Sequence, residues 1–75
     1  MIDFNMKRVG LRIKELRQES GMLQFQLAEK IGAAQNTIVQ YEKGISRMSV
    51  EILFKLAIAL KTTSDYLLGL TDIPN

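Results

Sequence analysis

QFQLAEKIGAAQNTIVQYEKG, Gln24 to Gly44, is the stretch on which the fold turns. Two short helix-like runs meet at Gly32. In the first, Leu27, Ala28 and Ile31 share a face, and a glycine follows where a left-handed C-terminal cap is wanted. The second, Gln35 to Lys43, carries Ile38 and Tyr41 on one side and ends before Gly44. On a wheel advancing about 100° per residue, Gln35, Val39, Asn36 and Gln40 fall within an arc of roughly 140°, and Thr37, Tyr41, Ile38 and Glu42 take the other side. One face is committed to a core, and the opposite one presents three carboxamides. Such a face is neither a good interior nor the Lys/Glu mixture of an ordinary solvated surface. A planar amide donates and accepts together, which matches the N6/N7 edge of adenine in the major groove, and an α-helix fits that groove. The plain alternative is an exposed polar helix with Asn and Thr near its start, where they are common anyway.

Outward from this stretch the apolar spacing stays helical. Val9, Ile13 and Leu16 predict an amphipathic helix from about Met6 to Ser20, stopped by Gly21. Ser49 can cap a fourth helix through Leu60 whose core face is Leu53, Leu56, Ala57 and Leu60. Ser64 can cap a short fifth, Asp65 to Leu68, closed by Gly69. No alternating strand pattern, repeat or low-complexity tract interrupts the series, so the fold class is all-α, a compact five-helix domain. The tail, 70–75, holds the single proline, Pro74, and is expected to fray unless a partner holds it.

Composition limits the function classes. A chain of 75 residues predicts one domain, 1–75, with room for one small core. With 47% apolar and 24% charged residues the balance is globular rather than disordered or membrane-embedded. No apolar run approaches the roughly 20 residues needed to span a bilayer, and MIDFNMKRVG lacks the features of a signal peptide, so a cytoplasmic location is expected. Cysteine and histidine are both absent. That removes thiolate and imidazole nucleophiles, the usual general bases and the usual zinc ligands, so neither an enzyme, a metal site nor a cofactor is expected. Glu15 and Glu19 lie one turn apart, but beside Arg12 and Lys14 they are expected to form a solvated, ion-paired face rather than a metal site. The net charge of +2 is unevenly spread: residues 1–47 sum to +3 and residues 48–75 to −1. The quoted stretch lies in the positive part, which favours a polyanionic partner there.

A helix of about eight residues, a Gly-containing turn of three to four, and a second helix of similar length are the dimensions of a helix-turn-helix motif, here about 24–43. GMLQFQLAEKIGAAQNTIVQYEKG followed by SVEILFKLAIALKTTSDYLLG resembles the phage lambda repressor and Cro-like helix-turn-helix DNA-binding family, over roughly Val9 to Gly69. The likeness rests on linked positions: Gln24 opening the first motif helix, Ala28 where the helices touch, Gly32 at the turn, Ile38 and Tyr41 packing the second helix, then "YEKG" and "SDYLLG" at the usual distances.

The resemblance implies that Gln35 to Lys43 is a recognition helix with Gln35, Asn36 and Gln40 at base-contacting positions, and Val39, projecting from the same face, is expected to meet a thymine methyl. It implies phosphate contacts from Gln24, Thr37, Lys43, Ser46 and Arg47. It also implies a structural ion pair between Arg17 and Glu42 that fixes the recognition helix to the scaffold. Phe54, Ile58, Leu70 and Ile73 either complete the small core or form an exposed patch serving as a twofold dimer interface. The expected partner is a double-stranded, palindromic DNA operator bound by a homodimer, as by a phage or prophage repressor. The alternative is an antitoxin or protein-interaction module that grips a small partner protein. The sequence departs from the family where Leu23 and Ala34 replace capping Ser or Thr, Met48 stands for a frequent proline, Lys61 for a glycine, and Phe25 for a polar residue.

Overall fold

The computed structural model describes residues 2–75. They form five helices: α1 Met6–Glu19, α2 Gln24–Ile31, α3 Gln35–Lys43, α4 Val50–Ala59 and α5 Ser64–Leu68. Three helices begin on a side-chain cap. Asn5 Oδ1 accepts from the Arg8 N–H, Ser49 Oγ from the Ile52 N–H, and Thr63 Oγ1 from the Tyr66 N–H. The last of these corrects the expected cap of α5: Thr63 holds the extended capping conformation, and Ser64 is already helical. Leu23 and Ala34 carry no side-chain oxygen, so α2 and α3 start without such a bond. For α2 the loss is partly offset, because Gln26 Oε1 reaches back to accept from the Leu23 N–H at 2.8 Å. Lys61 adopts a left-handed φ of 55°, the conformation for which glycine is the unstrained choice.

The amphipathic faces read from the sequence close on one another. Val9 and Ile13 of α1, Leu27, Ala28 and Ile31 of α2, Ile38 and Tyr41 of α3, Leu56 and Ala57 of α4, Leu60 and Leu67 form the buried core. Leu16 and Leu53, expected inside, are only partly buried against it. α1 packs on α3 and α5, α2 on α3 and α4, and α4 on α5, so α3 is backed by two helices and keeps one side free.

Two features position α3 that periodicity did not disclose. Gly10 lies in the middle of α1, where glycine costs about 1 kcal/mol of helix propensity. A Cβ there would run into the backbone carbonyls of Tyr41 and Glu42, reaching the Glu42 oxygen at 2.9 Å. The missing side chain lets α1 cross directly over the last turn of α3. One turn earlier Lys7 lies equally close to Gly44, whose added Cβ would be 2.5 Å from the Lys7 Cα.

The tail is the second surprise, because it is bonded back to the helices. Arg12, expected on a solvated face, is buried and donates to the carbonyl oxygens of Tyr66 and Thr71 and, at 2.7 Å, to Asp72 Oδ1. Its guanidinium also stacks 4.0 Å from the centroid of the Tyr66 ring. Arg8 shares Asp72, and Thr62 Oγ1 donates to the Pro74 carbonyl. A guanidinium has five donors in a fixed fork, so a single buried arginine can hold two backbone carbonyls and a carboxylate together. The Cα radius of gyration, 11.2 Å, is accordingly that of a compact chain of this length, about 11 Å.

Gly10→Ala would gain about 1 kcal/mol of helix propensity but force two backbones apart, an overpacking cost of about 1–3 kcal/mol or more. Because the clash is with backbone rather than with a movable side chain, we expect net destabilisation of about 2 kcal/mol. Urea unfolding of the two proteins measures it, and unchanged stability would contradict the close crossing.

Candidate nucleic-acid interface

The free side of α3 carries the carboxamides. Gln35 and Asn36 are exposed, and neither side chain has a hydrogen-bond partner among the described residues. Val39, Gln40 and Thr37 are half-buried on or beside the same helix, whereas Ile38 and Tyr41 face the core. Gln40 is engaged: Ser46 Oγ donates to its Oε1 at 2.7 Å. None of the three amides is sealed beneath another element.

A buried charge cluster holds the back of α3. Arg17 Nε donates to Glu42 Oε2 at 2.6 Å and Nη2 to Oε1 at 3.0 Å, a fork-on-fork pair whose side chains are 8% and 3% exposed. Arg17 Nη1 also donates to the Met22 carbonyl at 2.8 Å, which ties the α1–α2 turn into the same cluster. Gln24 Nε2 donates to Glu42 Oε1 at 3.1 Å. Gln24, expected to meet phosphate, therefore holds the first residue of α2 to the end of α3. Its second amide hydrogen is left over, and the opening of α2 beside it has no side-chain cap. Among the described residues no buried side-chain polar atom lacks a partner. No buried polar atom of the cluster is thus left without a hydrogen bond.

The cations sort into two groups. Arg12 and Arg17 are buried and paired, so solvent meets fewer of the first part's cations than the sequence holds, whereas Arg8 shares Asp72 but stays exposed. Lys43 and Arg47, just beyond the carboxamide face, are exposed. Arg47 lies 5.5 Å from the centroid of the Phe4 ring, which borders with Met6, Met48, Val50 and Leu53 an apolar cavity of about 280 Å³. Phe4 had given no periodic signal, being outside any helix. Phe54, Ile58, Leu70 and Ile73 are between 62% and 74% exposed, so they do not complete the core. Val50, four residues before Phe54, extends the α4 row at 83% exposure. No cluster of three or more histidine, cysteine or acidic side chains fit to hold a metal ion occurs among the described residues, and no helix there is long and apolar enough to cross a membrane.

Residues 13–67 match the family profile described as helix-turn-helix. The chain is 34% identical over 65 residues to the HTH-type transcriptional regulator ImmR of Bacillus subtilis, covering 87% of this chain and 51% of that protein. It is 38% identical over 64 residues to the uncharacterized HTH-type transcriptional regulator YobD of the same organism, covering 85% and 57%. The chain thus spans about half the length of these relatives. Among solved structures it resembles the P22 c2 repressor bound to a synthetic operator, with a TM-score of 0.78, 32% identity and coverage of 80% of this chain and 91% of that one. It is equally similar to the restriction-modification controller protein C.AhdI of Aeromonas hydrophila, with a TM-score of 0.78, 31% identity and coverage of 83% and 94%.

Removing one member of a buried ion pair leaves the other unpaired, at a cost of about 3–5 kcal/mol. Arg17→Ala or Glu42→Ala should lower unfolding free energy by that amount, whereas Arg17→Met with Glu42→Leu should recover much of it. Chemical denaturation of the three variants checks this, and single mutants no weaker than the double mutant would contradict a desolvated pair.

Proposed function

Because the chain belongs to the helix-turn-helix family of transcriptional regulators and carries its lambda/Cro-like DNA-binding domain, we propose that it represses transcription by occupying a palindromic operator as a homodimer, with α3 in the major groove. The observation that carries this is the unpartnered, exposed pair Gln35 and Asn36 on a helix whose other side is locked by Arg17 and Glu42. The two carboxamides, carried on a helix whose back is fixed, read adenine edges, Val39 meets a thymine methyl, and Gln40 completes the face. Lys43 and Arg47 neutralise phosphates beside it, with Thr37 and the remaining amide hydrogen of Gln24 at the backbone on the other side. Likeness to the P22 c2 repressor, a protein solved on operator DNA, supports a repressor of phage or prophage type.

The exposed row Phe54 and Ile58, with Leu70 and Ile73 on the latched tail, is the surface for the second copy. Pro74 is held by Thr62, which borders the same cavity as Phe54 and Ile58, so the end of the tail is fixed beside the C-terminal end of α4. Isologous contact there would set two copies of α3 about 34 Å apart, one turn of duplex. The same apolar row suits the alternative reading, a module that grips a small partner protein as an antitoxin does.

Gln35→Ala should lose about 1–3 kcal/mol on the operator and relax preference at one base position in each half-site. Lys43→Ala should weaken all sequences alike and make the salt dependence shallower by about 0.9 in log–log slope per protomer. Selection from a random duplex pool and titrations at several salt concentrations separate the two. Equal loss on operator and random DNA for Gln35→Ala would refute its base contact.

Phe54→Asp should convert a dimer to a monomer in sedimentation equilibrium and weaken operator binding, while leaving the helical circular dichroism intact. A wild-type protein that stays monomeric on and off DNA but co-purifies with a small second protein would favour the alternative.

A further inference from the structure

The chain leaves α3 through a turn that folds it back on the helix it has just completed. Gly44 takes a left-handed φ of 73°, its N–H bonds the Tyr41 carbonyl at 3.0 Å, and the Ile45 N–H bonds the Gln40 carbonyl at 3.1 Å. This paired arrangement closes the helix and carries the next residue back alongside its last turns. Ser46 therefore arrives beside Gln40, six residues earlier, and its hydroxyl donates 2.7 Å to Gln40 Oε1. Both groups are half-buried. Thus, of the three carboxamides on this side of α3, Gln40 alone has a side-chain partner inside the protein among the described residues, and its orientation is chosen by a neighbour rather than by the duplex.

We infer that Ser46 is a positioning residue for base recognition, holding Gln40 so that it offers amide hydrogens and not its oxygen to the major groove. The inference rests on the proposed placement of α3 in that groove. A free glutamine pairs with adenine because Oε1 accepts from N6 while Nε2 donates to N7. With Oε1 engaged by Ser46, the group facing outward is the Nε2 amide with two donors. The base edge that presents two acceptors and no donor is guanine, through O6 and N7. Gln40 accordingly favours guanine, whereas the unpartnered Gln35 favours adenine. One residue type serves two base preferences within a single helix, separated by a hydroxyl that does not itself touch a base. Ser46 moves in this account from the expected phosphate contact to a role exerted through Gln40.

The test is selection from a random duplex pool by the full chain and by Gln40→Ala, Ser46→Ala and Ser46→Thr, followed by affinity measurements on the wild-type operator and its single-base variants. Gln40→Ala should erase preference at one position in each half-site, and in the wild type that position should be guanine. Ser46→Ala should change the same position and no other, admitting adenine so that discrimination falls about five- to tenfold, well within the range of one bidentate contact. Ser46→Thr, which keeps the hydroxyl, should retain guanine, and affinity for random duplex should be unaltered in all three. If Ser46→Ala instead weakens every duplex equally and leaves base preferences intact, Ser46 is a phosphate contact and the inference fails while α3 recognition stands. If Gln40→Ala alters no position although Gln35→Ala does, the base-reading role of Gln40 fails and the inference fails with it. Loss of preference for both glutamine variants at no position would overturn the placement of α3 itself.

Discussion

α3 is nine residues long, well under the roughly 12–15 at which an isolated helix begins to hold its shape in water. Its exposed carboxamide face keeps its direction because other elements grip its back, and the grip is concentrated at its C-terminal turn. There the backbone of α1 meets the backbone of α3 at Gly10, Ile38 and Tyr41 enter the core, and Glu42 is clasped by Arg17 and Gln24. Apolar contacts through Ile38 and Tyr41 decide which side of α3 faces inward but restrain small rolls about its axis less sharply than a forked polar pair. The forked Arg17–Glu42 pair supplies the sharper angular restraint, because two parallel N–H···O bonds hold in one geometry only. A roll of one residue's angle, about 100°, would turn most of the carboxamide arc away from its present direction.

The same economy governs the positive charge. A helix-turn-helix needs cations near phosphates, yet three arginines of α1 are turned to internal bonding. Arginine suits that use better than lysine, since its planar fork matches carboxylates and backbone carbonyls while being weakly hydrated. Lysines, strongly hydrated point charges, are left to the surface, where Lys43 stands with Arg47 beside the carboxamide face. Pairing leaves the net charge of +2 unchanged, but it restricts the cations able to touch a polyanion to the exposed ones.

Much of this was legible in the sequence, for identifiable reasons. Helix positions followed from a 3.6-residue apolar period that no strand pattern contested, and the ends followed from Gly21, Gly32, Gly44 and Gly69. The separation of α3 into core side and carboxamide side needed only the wheel. What escaped were contacts between residues far apart along the chain. Gly10 reads as a mild helix flaw until the carbonyls of Tyr41 and Glu42 are found above it. Arg12 reads as one more surface charge, because nothing local says that the carbonyls of Tyr66 and Thr71 lie 54 and 59 residues away. The latched tail follows from the same contact. Thr63 displaced Ser64 as the cap of α5 for a smaller reason: two adjacent hydroxyl residues both qualify, and tertiary packing chooses the register.

The polar side chains around α3 consequently fall along a gradient of order. Glu42 and Arg17 are fixed in the interior, Gln24 and Gln40 each hold one internal bond, and Gln35 and Asn36 hold none. On the proposed reading, association must order the last two, at about 0.5–1.5 kcal/mol for each rotamer-rich side chain immobilised. Gln40 arrives with most of that ordering already done. A preset amide gains affinity for the one edge it fits and forfeits the ability to turn toward another, whereas a free one adapts to more than one edge at greater entropic cost. Specificity across a half-site is then uneven by construction: strict where the loop after α3 folds back onto the helix, more tolerant where α3 begins without a cap.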